Sequence, residues 1–486
     1  MELNHFPDEV LSNIFSHLTT KAQKHRLHDD FIVDIWPVRL VCRRWNILAT
    51  PQLFQTLTLF HSEWNANKDF EFWKHMLATD AIRAAARRVA IESAPWDDLD
   101  ERSSWVWEDW RDDNDWPQFK AAIDHICDMP HLDALEVRFS PACVGRDGDQ
   151  EDPEMELAVT RENTLRAVLE SMRKRAARPN TSIIRELVLD NLQNISLPKN
   201  LTDGLLENIE RLHILTTQEI SGRPENDVHL REIREWEPYL QNTLLPSVAE
   251  QLVELTLASP AKWGAIPGEF NGKGLHFPRL KALTLAEYVI TRQDQFEWVL
   301  SLESLTSLCL HGCTIATHIL VLEPEFASWG VDMRGWTWVA DPPELDDEND
   351  TRPAYEISAG KRTLTPGFYV HPLRWNAMFD SIRERLPRLK EFRFTKEQWV
   401  TFFRHSGDAN AEALVDRYFA FTRYWCELWS FNLKECNHVE ENRPGLPEEL
   451  LKITEETDRG ALERLLQTTR ERQMMVKSGK PGMEEV

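Results

Sequence analysis

A short apolar motif recurs along the chain and limits the folds that the chain can adopt. The motif has the form apolar-x-x-apolar-x-apolar, and its clearest copy begins at Leu305 and continues with Leu308 and Leu310. Residues two positions apart lie on the same face of a β-strand, so each copy predicts a short strand with one buried face. The copies begin at Phe54, Ala86, Leu132, Ile184, Ile209, Leu252, Leu280, Leu305 and Leu389.

The segments between the copies predict helices. Helical apolar spacing is visible at residues 70–88, 116–127, 161–178 and 293–302. Strands that alternate with helices predict parallel pairing, so the expected fold class is α/β, with parallel strands on a concave face and helices outside. The uneven distance between copies indicates insertions near 96–116 and 323–388.

The copy from Leu305 to Ile315 resembles a leucine-rich repeat. In such repeats the spaced leucines stack into a continuous core, so the resemblance implies an irregular solenoid. The alternate strand residues would then face outward on the concave sheet. They would either bind a partner protein or form an ordinary solvated surface. In the middle copies these residues include Arg211, His213, Glu254, Thr256, Thr284 and His311.

Residues 6–18 predict an amphipathic helix with a broad apolar stripe. Pro7 suits the first turn of a helix, and Asp8 and Glu9 suit its positively polarised N-terminal end. A unit this small buries too little surface to be stable alone, so the rest of the chain or another protein is expected to cover its apolar excess. The stripe consists of Val10, Leu11, Ile14, Phe15 and Leu18, and a second apolar cluster of Val38, Leu40, Val41, Trp45 and Leu48 follows it.

These N-terminal segments resemble the F-box. The resemblance rests on Phe6-Pro7-Asp8-Glu9-Val10-Leu11, on Ile14-Phe15 and Leu18, and on Leu40-Val41-Cys42-Arg43-Arg44-Trp45, although Phe6 replaces the usual leucine and the connection at 19–35 is longer than usual. It implies a three-helix module that binds Skp1, the adaptor that links it to a cullin-based ubiquitin ligase. Packing against the next domain would require the same stripe. The residues that the resemblance places in the Skp1 interface or the module core are Phe6, Pro7, Val10, Leu11, Ile14, Phe15, Leu18, Val41, Cys42 and Trp45.

Residues 96–116 combine tryptophans with carboxylates. Trp107 and Trp110 lie on either side of Asp109, within a run of further acidic residues. Aromatic side chains beside acids suit a surface that binds a basic protein partner. A long loop whose rings pack back onto the body would have the same composition, so both interpretations stay open.

Composition and motifs narrow the possible functions. The chain has 486 residues and a net charge of −24, which disfavours nucleic acid and anionic lipid as partners. Its seven cysteines include no Cys-x-x-Cys pair, which favours an intracellular protein of the cytoplasm or nucleus. No apolar stretch has the length of a membrane span. No nucleotide-binding, hydrolase or metalloprotease motif is present, so no catalytic residue, metal or cofactor is predicted.

The sequence therefore predicts three regions: an F-box at 1–55, a leucine-rich-repeat-like body at 56–440, and a C-terminal helical cap and tail at 441–486. The expected function is that of a non-catalytic substrate-recognition subunit of an SCF-type ubiquitin ligase. Such a subunit would bind Skp1, and through it a cullin, and would hold a protein target on its body. The alternatives are a Skp1-bound scaffold outside ubiquitin ligation and an enzyme of unrecognised type.

Overall fold

The structure is a computed structural model of the chain. It describes residues 6–19, 35–62, 66–94, 116–144, 156–217, 231–265, 268–321, 332–339, 367–395, 414–424, 427–432 and 448–477. These residues form two compact units of mixed helices and strands. The first unit contains the described chain up to Thr217 together with residues 251–260, and the second contains residues 231–250 and the described chain from Ala261 onward.

The first unit opens with a small helical module. Helix α1 (Asp8–Thr19) starts where the Pro7 carbonyl accepts the backbone N–H groups of Val10 and Leu11, each at 3.1 Å. A 3₁₀ turn at Pro37–Leu40 follows, and α2 (Arg43–Leu53) begins after the extended residue Cys42. The described part of the module thus contains two α-helices and one 3₁₀ turn where the sequence predicted three helices, and residues 20–34 lie outside the described ranges.

Six parallel strands follow in the first unit, and each coincides with a copy of the apolar motif. They are β1 (Thr56–Leu59), β2 (Arg88–Glu92), β3 (Ala134–Arg138), β6 (Glu186–Gln193), β7 (Arg211–Thr217) and β8 (Glu254–Ala258), adjacent in that order. A separate parallel pair joins β4 (Cys143–Val144) to β5 (Glu156–Leu157). The helices between the strands are α3 (Ala66–Leu77), α4 (Asp80–Ala85), α5 (Pro117–Asp124), α6 (Ala158–Ala176) and α7 (Lys199–Leu206).

The motif residues of neighbouring strands are aligned in two rows, as the sequence predicts. Each residue of these rows exposes at most 4% of its surface, so the rows form the core on one face of the sheet. Because the pairing is in register, the other face carries the alternate residues of every strand. The first row is Leu57, Val89, Leu135, Leu187, Leu212 and Leu255, and the second is Leu59, Ile91, Val137, Leu189, Ile214 and Leu257.

The second unit contains the remaining three predicted strands. These are β9 (Ala282–Ala286), β11 (Ser307–His311) and β15 (Glu391–Thr395), which pair in parallel with β11 in the centre. Leu283, Leu308 and Phe392 again share one row. Helices α8 (Arg231–Tyr239), α9 (Glu297–Leu300), α10 (Trp375–Arg385) and α11 (Glu448–Lys477) belong to this unit, and α11 confirms the predicted C-terminal helix.

A further sheet in the second unit was not predicted. Its strand order is β13 (Thr337–Val339), β14 (Gly367–Val370), β12 (Thr314–Val321), β16 (Tyr418–Tyr424) and β17 (Glu427–Asn432), and β10 (Val289–Ile290) also pairs with β12. Three of its pairings are antiparallel. The described part of the predicted insertion at 323–388 therefore supplies β13, β14 and α10.

Candidate functional site

The N-terminal helical module has its own small apolar core. Leu11 and Phe15 of α1 pack with Ile35 and Ala49, and none of the four exposes more than 2% of its surface. The rings of Phe15 and Trp45 lie 5.3 Å apart between centroids and tie α1 to α2. The partly buried side chains around this core are Phe6, Leu18, Val38, Trp45, Leu48 and Leu53.

Polar contacts fix the angle between the two helices of the module. The guanidinium of Arg44 on α2 donates to the Phe6 carbonyl at 2.6 Å and to the Asp8 carboxylate at 2.7 Å. The side-chain amide of Gln52 donates to the Ser12 hydroxyl at 3.2 Å. The Arg44–Asp8 pair is largely exposed, so it orients the helices more than it stabilises them.

A second set of apolar side chains in the module is exposed. Val10 and Ile14 are one helical turn apart on α1, and they expose 40% and 41% of their surface. Leu40 and Val41, between the 3₁₀ turn and α2, expose 80% and 57%. Ile47 on α2 exposes 61%. Exposed apolar groups this numerous on so small a module favour a role in contact with another protein. We call Val10, Ile14, Leu40, Val41 and Ile47 the apolar surface of the module.

The structure separates the residues that the sequence predicted as one set. Val10, Ile14 and Val41 are exposed apolar residues, Pro7 is exposed beside them in sequence, and Cys42 is half-buried. Leu11 and Phe15 are instead in the module core, where they are inaccessible to a partner, and Phe6, Leu18 and Trp45 pack against that core. Sequence analysis did not assign Leu40, Ile47 or Trp36, which exposes 50% of its surface, to the interface. Helical spacing did not separate the two sets on α1, because Val10 and Ile14 are four residues apart, as are Leu11 and Phe15.

The exposed apolar side chains lie on the N-terminal helical module, and comparison with family models identifies the same part of the chain. Residues 3–59 match the F-box-like family model, and the chain accordingly carries an F-box-like domain. A search of curated proteins found no match to the chain. The F-box-like domain supports a Skp1-binding adaptor of SCF-type ubiquitin ligases, a class whose members are typically non-catalytic.

The second predicted site lies on the polar face of the parallel strands. Arg211, Glu254 and Thr284 are half-buried. The prediction that every alternate residue faces solvent is wrong for His213, Thr256 and His311, which expose 4%, 4% and 5%. The imidazole of His213 lies 2.9 Å from the Thr256 hydroxyl, and that of His311 lies 2.7 Å from the Thr395 hydroxyl.

Burial also determines the charge state of His213. Its removal from water lowers its pKa to about 4, although Glu186 acts in the opposite direction, so the ring is neutral at pH 7. His213 is therefore a structural hydrogen-bonding group on this face and not a cation.

The remaining predictions concern the tryptophan-rich segment, a metal site and a membrane span. Trp107, Asp109 and Trp110 lie outside the described residues. No group of three or more His, Cys, Asp and Glu side chains in the described ranges is placed to hold a metal ion. None of the described helices has the length and apolar character that a membrane span requires.

Proposed function

We propose that the chain is a substrate-recognition subunit of an SCF-type ubiquitin ligase and that the apolar surface of the module binds Skp1. The match of residues 3–59 to the F-box-like family carries this proposal. The exposure of Val10, Ile14 and Val41 supports it, because three residues that the resemblance assigned to the interface or core are available to a partner. The role would place the protein where cullin ligases act, in the cytoplasm or the nucleus.

The body of the chain would then hold the target. The nine motif strands, with their buried rows of leucine and other apolar residues, are the observation that favours a leucine-rich-repeat-like receptor. In this proposal residues 1–55 act as the F-box, residues 56–440 as the receptor and residues 441–486 as a helical cap and tail. The chemistry of ubiquitin transfer would take place on other subunits.

The proposal is tested with paired substitutions on α1. Val10→Asp combined with Ile14→Asp should abolish capture of purified Skp1 by the full chain, because each carboxylate would have to leave water in an apolar contact. Asn13→Asp is the control, because Asn13 is exposed on the same helix and this substitution adds one of the two negative charges without removing an apolar group. Circular dichroism should show that all the variants keep their helix content. Capture of Skp1 by the double variant at the level of the control would refute the docking surface.

Co-purification separates the proposed role from its alternative. A ligase receptor should recover both Skp1 and a cullin from cells, whereas a scaffold outside ubiquitin ligation should recover Skp1 alone. Recovery of neither would contradict both.

A further inference from the structure

An ion-pair network covers the polar face of the sheet in the first unit. Arg88 on β2 pairs with the Glu186 carboxylate on β6, and its guanidinium also lies 3.6 Å from Glu136 on β3. Arg211 on β7 donates to Glu186 at 2.9 Å. Arg138 on β3 pairs with Glu136 at 2.5 Å and with Glu92 at 2.8 Å, where β2 ends.

The network crosses the strands because a small residue leaves room for it. Arg88, Ala134 and Glu186 occupy one row across β2, β3 and β6. A strand therefore separates Arg88 from Glu186, and the methyl group of Ala134 between them is short enough for the guanidinium to reach across it. The three guanidinium groups of Arg88, Arg138 and Arg211 then balance the three carboxylates of Glu92, Glu136 and Glu186. Asp190, further along β6, is buried and has contacts of its own.

Glu254 continues the same row on β8 but is left out of this balance. It pairs in register with Arg211, yet Arg211 gives its Nε–H to Glu186. The Glu254 carboxylate has no ion pair or hydrogen bond with any residue that the structure describes. Partial burial and the neighbouring Glu186 raise the pKa of Glu254 by more than the charges of Arg211 and Arg88 lower it, so its negative charge is on balance unfavourable where it stands.

We propose that Glu254 accepts a cationic side chain of a bound protein, so that this receptor selects targets that present an arginine or lysine to the polar face of the first unit. This inference rests on the proposed function and specifies the chemistry of its target. The complementarity is local, because an incoming cation would neutralise the one carboxylate of the row that forms no ion pair with a described residue. It is also favoured by the net charge of −24, which attracts basic proteins from a distance.

The test uses two labelled peptides and the full chain. One peptide alternates glycine with arginine, and the other replaces each arginine by citrulline, which has nearly the same shape and no charge. Fluorescence anisotropy should show that the wild-type chain binds the arginine peptide more tightly than the citrulline peptide. Glu254→Gln should weaken binding of the arginine peptide about ten-fold, the effect of losing one partly desolvated charge pair.

Glu207→Gln is the matched control. Glu207 is exposed in the same unit and forms no ion pair with a described residue, so its replacement removes the same charge from elsewhere on the surface. The affinity of the Glu207→Gln variant for the arginine peptide should equal that of the wild type. Equal affinity of the Glu254→Gln and Glu207→Gln variants would overturn the proposal, because the attraction would then come from net charge alone. Failure of the wild type to discriminate between the two peptides would overturn it as well.

Two further measurements keep the result interpretable. Thermal unfolding of Glu254→Gln should occur at or above the wild-type temperature, because the negative charge of Glu254 is on balance unfavourable in the free protein. Skp1 capture should be unchanged in Glu254→Gln. A wild-type chain that captures Skp1 but does not discriminate between the two peptides would refute only the inference about Glu254, whereas a wild-type chain that does not capture Skp1 would refute the proposed function.

Discussion

Neighbouring residues on α1 have opposite surroundings, although the sequence presents them as one apolar stripe. Phe15 exposes 2% of its surface and contacts Trp45 across the module, whereas Ile14 exposes 41%. The difference follows from a rotation of about 100° between successive residues of a helix. A substitution at each position therefore tests a different property of the domain.

Phe15→Ala should destabilise the F-box-like domain by about 3 to 5 kcal/mol, because it leaves a cavity between α1 and α2. Ile14→Ala should change stability by less than about 1 kcal/mol, because that side chain is already in contact with water. Hydrogen exchange of peptides from α1 and α2 measures both effects in the full chain. Equal protection loss in the two variants would contradict the assignment of Phe15 to the core and Ile14 to the surface.

At the scale of elements, α11 caps both ends of α10. Near the start of α10, the Asp458 carboxylate accepts the backbone N–H of Asn376 at 2.8 Å and the Tyr418 hydroxyl at 2.5 Å. Near its end, the Arg472 guanidinium donates to the carbonyls of Arg383 and Leu386 at 3.0 and 2.8 Å. An acid at the N-terminus and a base at the C-terminus both complement the dipole of α10. This arrangement sets the axial position of α11.

Arg472→Ala should therefore loosen the C-terminal helix. The partly buried carbonyls of Arg383 and Leu386 would lose charge-assisted hydrogen bonds, which should lower the free energy of local unfolding of α11 by about 1.5 to 3 kcal/mol. Arg470→Ala is a suitable control, because Arg470 is exposed two positions earlier on α11. Limited proteolysis should cleave α11 faster in Arg472→Ala than in Arg470→Ala. The same rate in both would show that the caps do not hold the helix.

The Asp458 contact should also depend on pH. Burial raises the pKa of Asp458 to about 6, although the hydrogen bonds from Tyr418 and Asn376 lower it. Between about pH 4 and 6 the carboxyl group of Asp458 loses its proton in the unfolded chain and keeps it in the folded chain. The stability of the fold therefore falls as the pH rises through this window. The contribution of Asp458 is complete below the window and absent above it.

Denaturant unfolding of the wild type and Asp458→Asn should measure this contribution. The difference in stability between the two proteins should change by about 2 to 3 kcal/mol from pH 4 to pH 7, with the wild type losing stability relative to the variant as the pH rises. Comparing the two proteins removes the opposite effect of carboxylates such as Glu186, whose pKa is lowered by Arg88 despite its burial. A difference that stays constant with pH would contradict the assignment.

At the scale of the whole molecule, two kinds of surface should respond differently to salt. Binding through the apolar surface of the module depends on the burial of apolar side chains, whereas attraction of a basic partner depends on the net charge of −24. Salt screens charges separated by more than about 8 Å at physiological ionic strength and affects apolar contacts far less. The two interactions can therefore be distinguished on one protein.

Raising the salt concentration should slow association of the arginine peptide, with a smaller change in its dissociation rate. Dissociation of Skp1 should change little over the same range, because its proposed contacts are apolar. Surface plasmon resonance with the immobilised full chain measures both rates. An association rate of the arginine peptide that does not depend on salt would show that long-range charge plays no part in its capture.

Local patterns in the sequence predicted the strands and several helices of this fold. Each of the nine motif copies forms a parallel strand, because two apolar residues separated by one position specify a buried strand face without information from elsewhere. Helices α6 and α11 were also predicted, since their apolar spacing extends over many turns. The short helix α7 was missed. The sheet around β12 was missed as well, because most of its strands are separated widely in the chain and pair by non-local contacts.

The sequence by itself determined the F-box-like motif, the position of each motif strand with its apolar residues, and the net charge, because each is a property of residues close together in the chain or of composition. Only the tertiary structure decided which apolar residues of α1 are core and which are surface, and that His213 and His311 are buried. It also decided that Arg88 reaches Glu186 across Ala134 and that Arg211 pairs with Glu186, so that Glu254 forms no ion pair with a described residue. These outcomes depend on which side chains neighbouring elements bring together, and burial and charge pairing are properties of that assembly.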